Sequence, residues 1–350
     1  MKNSSTSRTP TADLLKGIAA LLMIQVHILE LFATQDIFNS SLGKIILFLG
    51  GPPVAPVFIV LFGYFIAQSK KSTTELISRG LKIILLGLLL NIALNFNLII
   101  SVSKGLFDID LLPYIFGADI LPLAGLSVIS IALLKKALDR SIVLVVVFSM
   151  VFAFFGTFLL DYNTEQPILK YILSFFYGIS AWSYFPLFPW ISYALAGFAF
   201  FKIQQQVDLN SLNKPVPKII LGVFFILFFT LSVNYAIPIS SDLPVYYHHG
   251  LIFFLWVISF LCFYSFFMNE IDKLVGTTLV FNYLKWLGEN ITFIYVIQWI
   301  IIGNIATEIY KTISYPFYIL LWFVGIVAVS SGACYLWIRI KKILIKRPVD

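Results

Sequence analysis

Asp13-Leu14-Leu15-Lys16-Gly17-Ile18-Ala19-Ala20-Leu21-Leu22-Met23-Ile24-Gln25-Val26-His27-Ile28-Leu29-Glu30 begins the first long apolar run of a 350-residue chain. Its length and apolarity predict a membrane-spanning helix over residues 13–33. Eleven residues of helix make close to three whole turns, so Lys16 and His27 share one stripe, about 16 Å apart along the axis. Asp13 and Glu30 fall near that stripe, whereas Gln25 faces nearly the opposite way. Ionisable side chains are expensive inside a bilayer and usually face a bundle interior or a water-filled path. The run continues past Leu31 and no small-x-small cleavage site follows it. It therefore reads as a retained span rather than a cleaved signal peptide.

Working outward, 60% of the chain is hydrophobic and only 12% charged, with a mean hydropathy of +0.94. Soluble domains carry about 25% charged residues, so this composition belongs to a polytopic membrane protein. Further apolar stretches lie at 45–68, 76–98, 118–134, 141–160, 186–204, 217–237, 249–268, 288–307 and 316–338. The expected fold is an all-α transmembrane bundle of about ten spans. It forms a single membrane domain over residues 1–350, with its core over about 11–340. The segment 168–178 is apolar but short and reads as a re-entrant or interfacial piece, or as an eleventh span. No polar stretch is long enough to bury a core of its own. Neither an internal repeat nor a matched pair of broken helices is visible.

The net charge of +7 is a topology signal. With both termini inside, alternating spans leave only Lys44, Lys104, Lys170 and Lys311 of the 24 Lys and Arg residues outside. The inner segments hold the rest, from Lys2, Arg8 and Lys16 to Lys346 and Arg347, as the positive-inside rule expects. Nucleic acid is excluded as a partner on this reading. Cys262 and Cys334 lie in apolar runs without ligand spacing, and three histidines are too few for a His-rich metal site, so no metal is expected. Pro52, Pro53 and Pro56 break one span at its outer end, and Pro186 and Pro189 break another. Unwound backbone at that depth needs cover from protein or a cavity, so an outward-facing cavity beside His27 is expected.

Four constellations could carry chemistry. At mid-depth, His27 can serve as a general base or as a nucleophile holding an acyl group. The plainer alternative has Lys16 snorkelling to phospholipid and His27 bonding a neighbouring helix. On the inner side, Arg79 and Lys82 stand three apart at the expected start of the third span, where they could hold phosphate or lipid headgroups. The outer loops are aromatic, with Trp182, Tyr184 and Trp190, then Tyr246, Tyr247, His248 and His249. They suit stacking on a sugar ring and equally suit an interfacial belt. In the ninth span Asn290, Tyr295 and Gln298 either line a cavity or join helix to helix.

At these residues the chain resembles the superfamily of integral-membrane acyltransferases, which includes the acyltransferase-3 family and heparan-α-glucosaminide N-acetyltransferase-like bacterial proteins. Their first span typically reads Asp-x-x-Arg-Gly-x-Ala with a His eleven residues after the Arg. Here it stands as Asp13-Leu-Leu-Lys16-Gly17-Ile-Ala19 and His27, with Lys for Arg. Val57-Phe-Ile-Val-Leu-Phe-Gly63-Tyr64 is similar to the second-span motif, and Arg79-x-x-Lys82 to an Arg-x-x-Arg entry into span three. Asp119-Ile-Leu-Pro-Leu-Ala-Gly-Leu-Ser127 and Phe188-Pro189-Trp190-Ile-Ser-Tyr-Ala-Leu-Ala-Gly197 resemble the heparan-acetyltransferase branch. Gly288…Tyr295-x-x-Gln298 matches a late pattern that often carries His in place of Gln298. The likeness runs from about 11 to 307.

The resemblance implies an acyl-CoA-dependent O- or N-acyltransferase that moves an acyl group, usually acetyl, from cytoplasmic acyl-CoA to an extracytoplasmic saccharide or glycolipid. It would sit in a bacterial cytoplasmic membrane. By the same resemblance His27 is catalytic base or acyl carrier, Asp13 orients Lys16 or His27, and Lys16, Arg79 and Lys82 contact the CoA phosphates. Glu30, Trp190, Tyr295 and Gln298 are expected at the acceptor side. Lys in place of Arg forgoes the planar two-point phosphate contact. A competing expectation is a proton-coupled transporter or flippase using His27 and Glu30.

Overall fold

The computed structural model describes residues 10–207 and 214–345. Lys2, Arg8, Lys346 and Arg347, four of the cations assigned to the inner side, lie outside the described residues. In chain order the helices are α1 (Pro10–Phe32), α2 (Gln35–Asn39), α3 (Ser41–Gly50), α4 (Ala55–Gln68), α5 (Thr73–Leu94) and α6 (Phe96–Ser103). Then come α7 (Leu112–Ile115), α8 (Ile120–Arg140), α9 (Ile142–Phe158), α10 (Pro167–Leu173), α11 (Leu187–Gln206) and α12 (Pro215–Ser241). The last five are α13 (Leu243–Tyr247), α14 (Leu251–Val275), α15 (Leu279–Glu289), α16 (Ile291–Ile309) and α17 (Pro316–Ile345). The fold is an all-α polytopic bundle. Among the described residues the only β contact is an isolated parallel bridge between Ala33 and Ile313.

Nine described segments are long and apolar enough to cross a membrane, one of them Ser41–Gln68, which takes in α3 and α4. They match nine of the ten apolar stretches in the sequence. The tenth, 186–204, is the 20-residue helix α11, whose Trp190, Ser192, Tyr193 and terminal glutamines lower its hydropathy. Phe188 is non-helical, so the regular helix runs over 189–206 and reaches about 27 Å at 1.5 Å per residue. The 168–178 segment is not an eleventh span: its helix α10 has seven residues, about 10 Å of rise. Along α12 only Ala236 and Ser240 are buried. A helix that is apolar all round yet uncovered has lipid as its natural solvent.

Local chemistry places the helix ends. Asp119 caps α8 by accepting from the Ile120 amide at 2.7 Å, and Ser141 caps α9 through the Leu144 amide. Before α5, the Ser72 amide donates to the Glu75 carboxylate at 2.8 Å while the Glu75 amide donates to the Ser72 hydroxyl at 3.3 Å. That reciprocal pair is a capping box. It starts α5 at Thr73, so Arg79 lies in the second turn. The expectation of Arg79 at the helix start is corrected, and with it any macrodipole term, which fades within the first turn.

The chain divides into two compact units: residues 10–50, 93–108 and 265–345 form the first, and 51–92 with 109–264 the second. The first boundary falls in the turn Gly51-Pro52-Pro53-Val54, where three prolines within five positions interrupt the predicted second span.

In the first unit α1 is the central helix, packed by α3, α15, α16 and α17. The segment after α16 returns along the end of α1: the Lys311 amide donates to the Leu31 carbonyl, and the Ile313 amide to that of Phe32, both at 2.9 Å. Asn304 of α16 accepts from the Asn97 amide and donates to the Ala93 carbonyl, tying α16 to the α5–α6 corner.

In the second unit α11 is central, packed by α4, α8 and α9. Gly63 and Gly197 allow α4 and α11 to meet backbone to backbone. A Cβ on either would lie under 2 Å from a carbonyl oxygen of the other helix. Close approach through small residues is the usual way membrane helices gain contact, because lipid removes the hydrophobic drive between them.

Candidate functional site

The first unit carries the His27 stripe. Asp13 and Lys16, one turn apart on α1, form an ion pair of 2.6 Å with side chains 12% and 18% exposed. Asp13 is thus in contact with Lys16, and the partners of His27 come from α16. The next residue, Gly17, lies against the Leu284 backbone of α15, which leaves the pair at a helix–helix crossing.

Two turns and more further along α1, half-buried His27 meets α16. Its Nδ1 is 3.3 Å from Oε1 of Gln298. The ring also stacks on Trp299, with centroids 3.8 Å apart and planes 29° from parallel. Gln298 is fully buried, and its amide nitrogen donates to the Tyr295 carbonyl one turn back at 3.2 Å. Consecutive residues of one helix thus hold the imidazole, one at its edge and one on its face. An imidazole so fixed retains one ring nitrogen for proton or group transfer.

Of the residues expected to meet the acceptor, Gln298 touches His27 directly, and Tyr295 is buried at 7% exposure with its carbonyl supporting Gln298. Glu30 lies on α1 three residues beyond His27 and is partly exposed. Trp299 was not singled out from the sequence. Its signal was adjacency to Gln298, hidden because neighbouring residues on a helix point about 100° apart.

Arg79, Lys82 and Trp190 belong to the second unit. Arg79 and Lys82 are exposed on α5, and the Arg79 guanidinium sits 5.8 Å from the centre of the Phe62 ring. Both cations are open to an anion. Trp190 is fully buried and its indole nitrogen donates to the Tyr247 carbonyl at 2.8 Å. A stacking platform needs an open ring face, and Trp190 has none. In this structure Trp190 packs as a core anchor.

The aromatic loops around Trp190 pack on one another by the same logic. His249 donates from Nδ1 to the Tyr246 carbonyl at 2.7 Å and accepts at Nε2 from the Tyr193 hydroxyl at 2.8 Å. His248 donates from Nε2 to the Ser183 carbonyl at 2.7 Å. Burial pushes the His249 imidazole down to about 4 and lowers that of His248. Both nitrogens of His249 are used, which makes it a structural residue. Among the described residues no three His, Cys, Asp or Glu side chains converge as a metal site would require.

Residues 8–227 match the model of the family described as heparan-alpha-glucosaminide N-acetyltransferase, catalytic. No curated protein and no solved structure matches the chain.

Proposed function

The chain belongs to the heparan-alpha-glucosaminide N-acetyltransferase catalytic family, a family of membrane acetyltransferases, and from that premise we propose that it transfers an acetyl group from cytoplasmic acyl-CoA to an extracytoplasmic saccharide or lipid-linked acceptor. The observation that carries this reading is the hold on His27. It is half-buried on a membrane helix, fixed at one nitrogen by Gln298 and on one face by Trp299, and it shares a stripe with the Asp13–Lys16 pair.

In this reading the acceptor's hydroxyl or amine attacks the thioester carbonyl while His27 takes its proton. The C–S bond breaks, the acyl group passes to the acceptor, and CoA leaves as a thiolate that takes up a proton. The alternative route through an acyl group carried on His27 uses the same nitrogen as nucleophile. Arg79 and Lys82, exposed and cationic, are assigned to the donor's phosphates. Lys16 already shares its charge with Asp13, which fits a cation that guides the donor better than one that grips it. Both termini in the cytoplasm and residence in a bacterial cytoplasmic membrane complete the proposal.

The test is incorporation of labelled acetyl from acetyl-CoA into surface glycans and lipids by membrane vesicles, read by mass spectrometry. His27→Ala is expected to abolish incorporation while insertion and yield stay intact. Incorporation preserved in that variant would remove the assignment.

A further inference from the structure

We propose that Gln298 is a positioning residue that holds His27 in the Nδ1-protonated tautomer, so that Nε2 carries the ring's lone pair and is the atom that takes the acceptor's proton or the acyl group. The inference rests on the reading of His27 as the transfer residue and adds to it which nitrogen acts and what decides it.

The argument begins with the Gln298 amide. Its nitrogen donates to the Tyr295 carbonyl, and the opposite placement would set two oxygens, both acceptors only, against each other. The hydrogen-bond network therefore assigns Oε1 to the His27 side, 3.3 Å from Nδ1. An amide oxygen accepts and cannot donate, so Nδ1 must be the donor. A neutral imidazole carries one N–H, so its other nitrogen, Nε2, is left as base and nucleophile.

Three further features favour this assignment. Gln298 is fully buried, so water does not compete for Oε1 and the geometry is held by the helix. Trp299 stacking on the ring opposes the rotation that would exchange the two nitrogens. When Nε2 gains a proton or an acyl group the ring becomes cationic, and an acceptor at Nδ1–H then strengthens its hydrogen bond. Gln298 thus favours the charged ring without itself changing protonation.

The chain has three histidines, which makes the tautomer measurable. Histidine labelled with ¹³C and ¹⁵N in bilayer-reconstituted protein gives few signals, and His27→Asn identifies those of His27 by their loss. The expected wild-type spectrum shows His27 as Nδ1–H. Gln298→Met, similar in size and without an acceptor, is expected to move it toward Nε2–H and to lower acyl transfer on the order of 10²-fold, the scale set by misplacing a catalytic proton. Gln298→Glu keeps an acceptor oxygen for Nδ1–H but sets its second oxygen against the Tyr295 carbonyl, so it is expected to restore the Nδ1–H signal and only part of the transfer.

A wild-type spectrum showing Nε2–H overturns the proposal, as does an Nδ1–H signal unchanged in Gln298→Met. Should the Met variant fail to fold, Gln298→Leu, which also lacks an acceptor, replaces it in both readouts. Transfer that survives in His27→Asn would instead sink the catalytic reading of His27, an outcome separate from the tautomer result.

Discussion

Gly17 and Gly288 mark a crossing at which α1 and α15 touch through their backbones. A Cβ built on Gly17 would lie 1.8 Å from the Leu284 carbonyl oxygen, and one on Gly288 would lie 1.8 Å from that of Asp13. The carbonyl of Asp13 and the amide of Gly17 both lie at this contact. The crossing therefore fixes the backbone on either side of Lys16, which explains in packing terms why Gly follows Lys in the first-span motif.

Gly17→Ala and Gly288→Ala are each expected to force the helices apart and destabilise the protein by about 1–3 kcal/mol or more, the range for overpacking. Gly222→Ala and Gly325→Ala, where an added Cβ meets nothing within 4 Å, are expected to be neutral or slightly stabilising through helix propensity. Thermal unfolding in detergent compares the four. Equal shifts would show that the crossing is not tight.

The Asp13–Lys16 pair is mostly buried, so removing one partner leaves an uncompensated charge, and removing both does not. Asp13→Asn and Lys16→Met are each expected to lower folded yield and melting temperature. The double variant is expected to recover part of the loss, with a coupling energy of about 1 kcal/mol or more. Additive losses would mean that the pair contributes nothing to stability.

Trp299 offers His27 a flat face at 3.8 Å, a contact of the kind worth roughly 0.5–1.5 kcal/mol. Trp299→Phe is expected to keep most of the acyl transfer. Trp299→Leu is expected to lower it by up to about tenfold with the protein still folded. Identical rates in both variants would assign the stacking to fold alone.

His249 makes stability depend on pH. Burial, with a smaller push from neighbouring His248, lowers its folded value from 6.5 to about 4, against the opposing bond to the Tyr246 carbonyl. The unfolded chain takes up this proton below about 6.5, and the folded chain waits until about 4. The contribution is intact above the upper value and falls by about 1.4 kcal/mol per pH unit between the two. His249→Phe is expected to flatten that slope in thermal unfolding scans, while the slope above pH 7 (about neutral) stays unchanged. A wild-type slope identical to the variant's would rule out this linkage.

The stripe on α1 was legible because helical periodicity is local: Asp13, Lys16 and His27 share a face through the geometry of one helix, and the apolar runs mark where helices fall. The start of α5 was legible as well, in the unread capping box Ser72-x-x-Glu75. Trp190 could not be sorted between interface and core from its loop alone, since an aromatic residue beside prolines suits both places.

What the sequence determined by itself was an all-α membrane protein with charge and imidazole along its first helix, since bilayer thickness and helical rise impose those patterns residue by residue. Only the tertiary structure decided which groups answer His27. Gln298 lies 271 positions away in the chain. It reaches the ring because helix packing, governed by shape and close backbone approach rather than by any local pattern, sets α16 against α1.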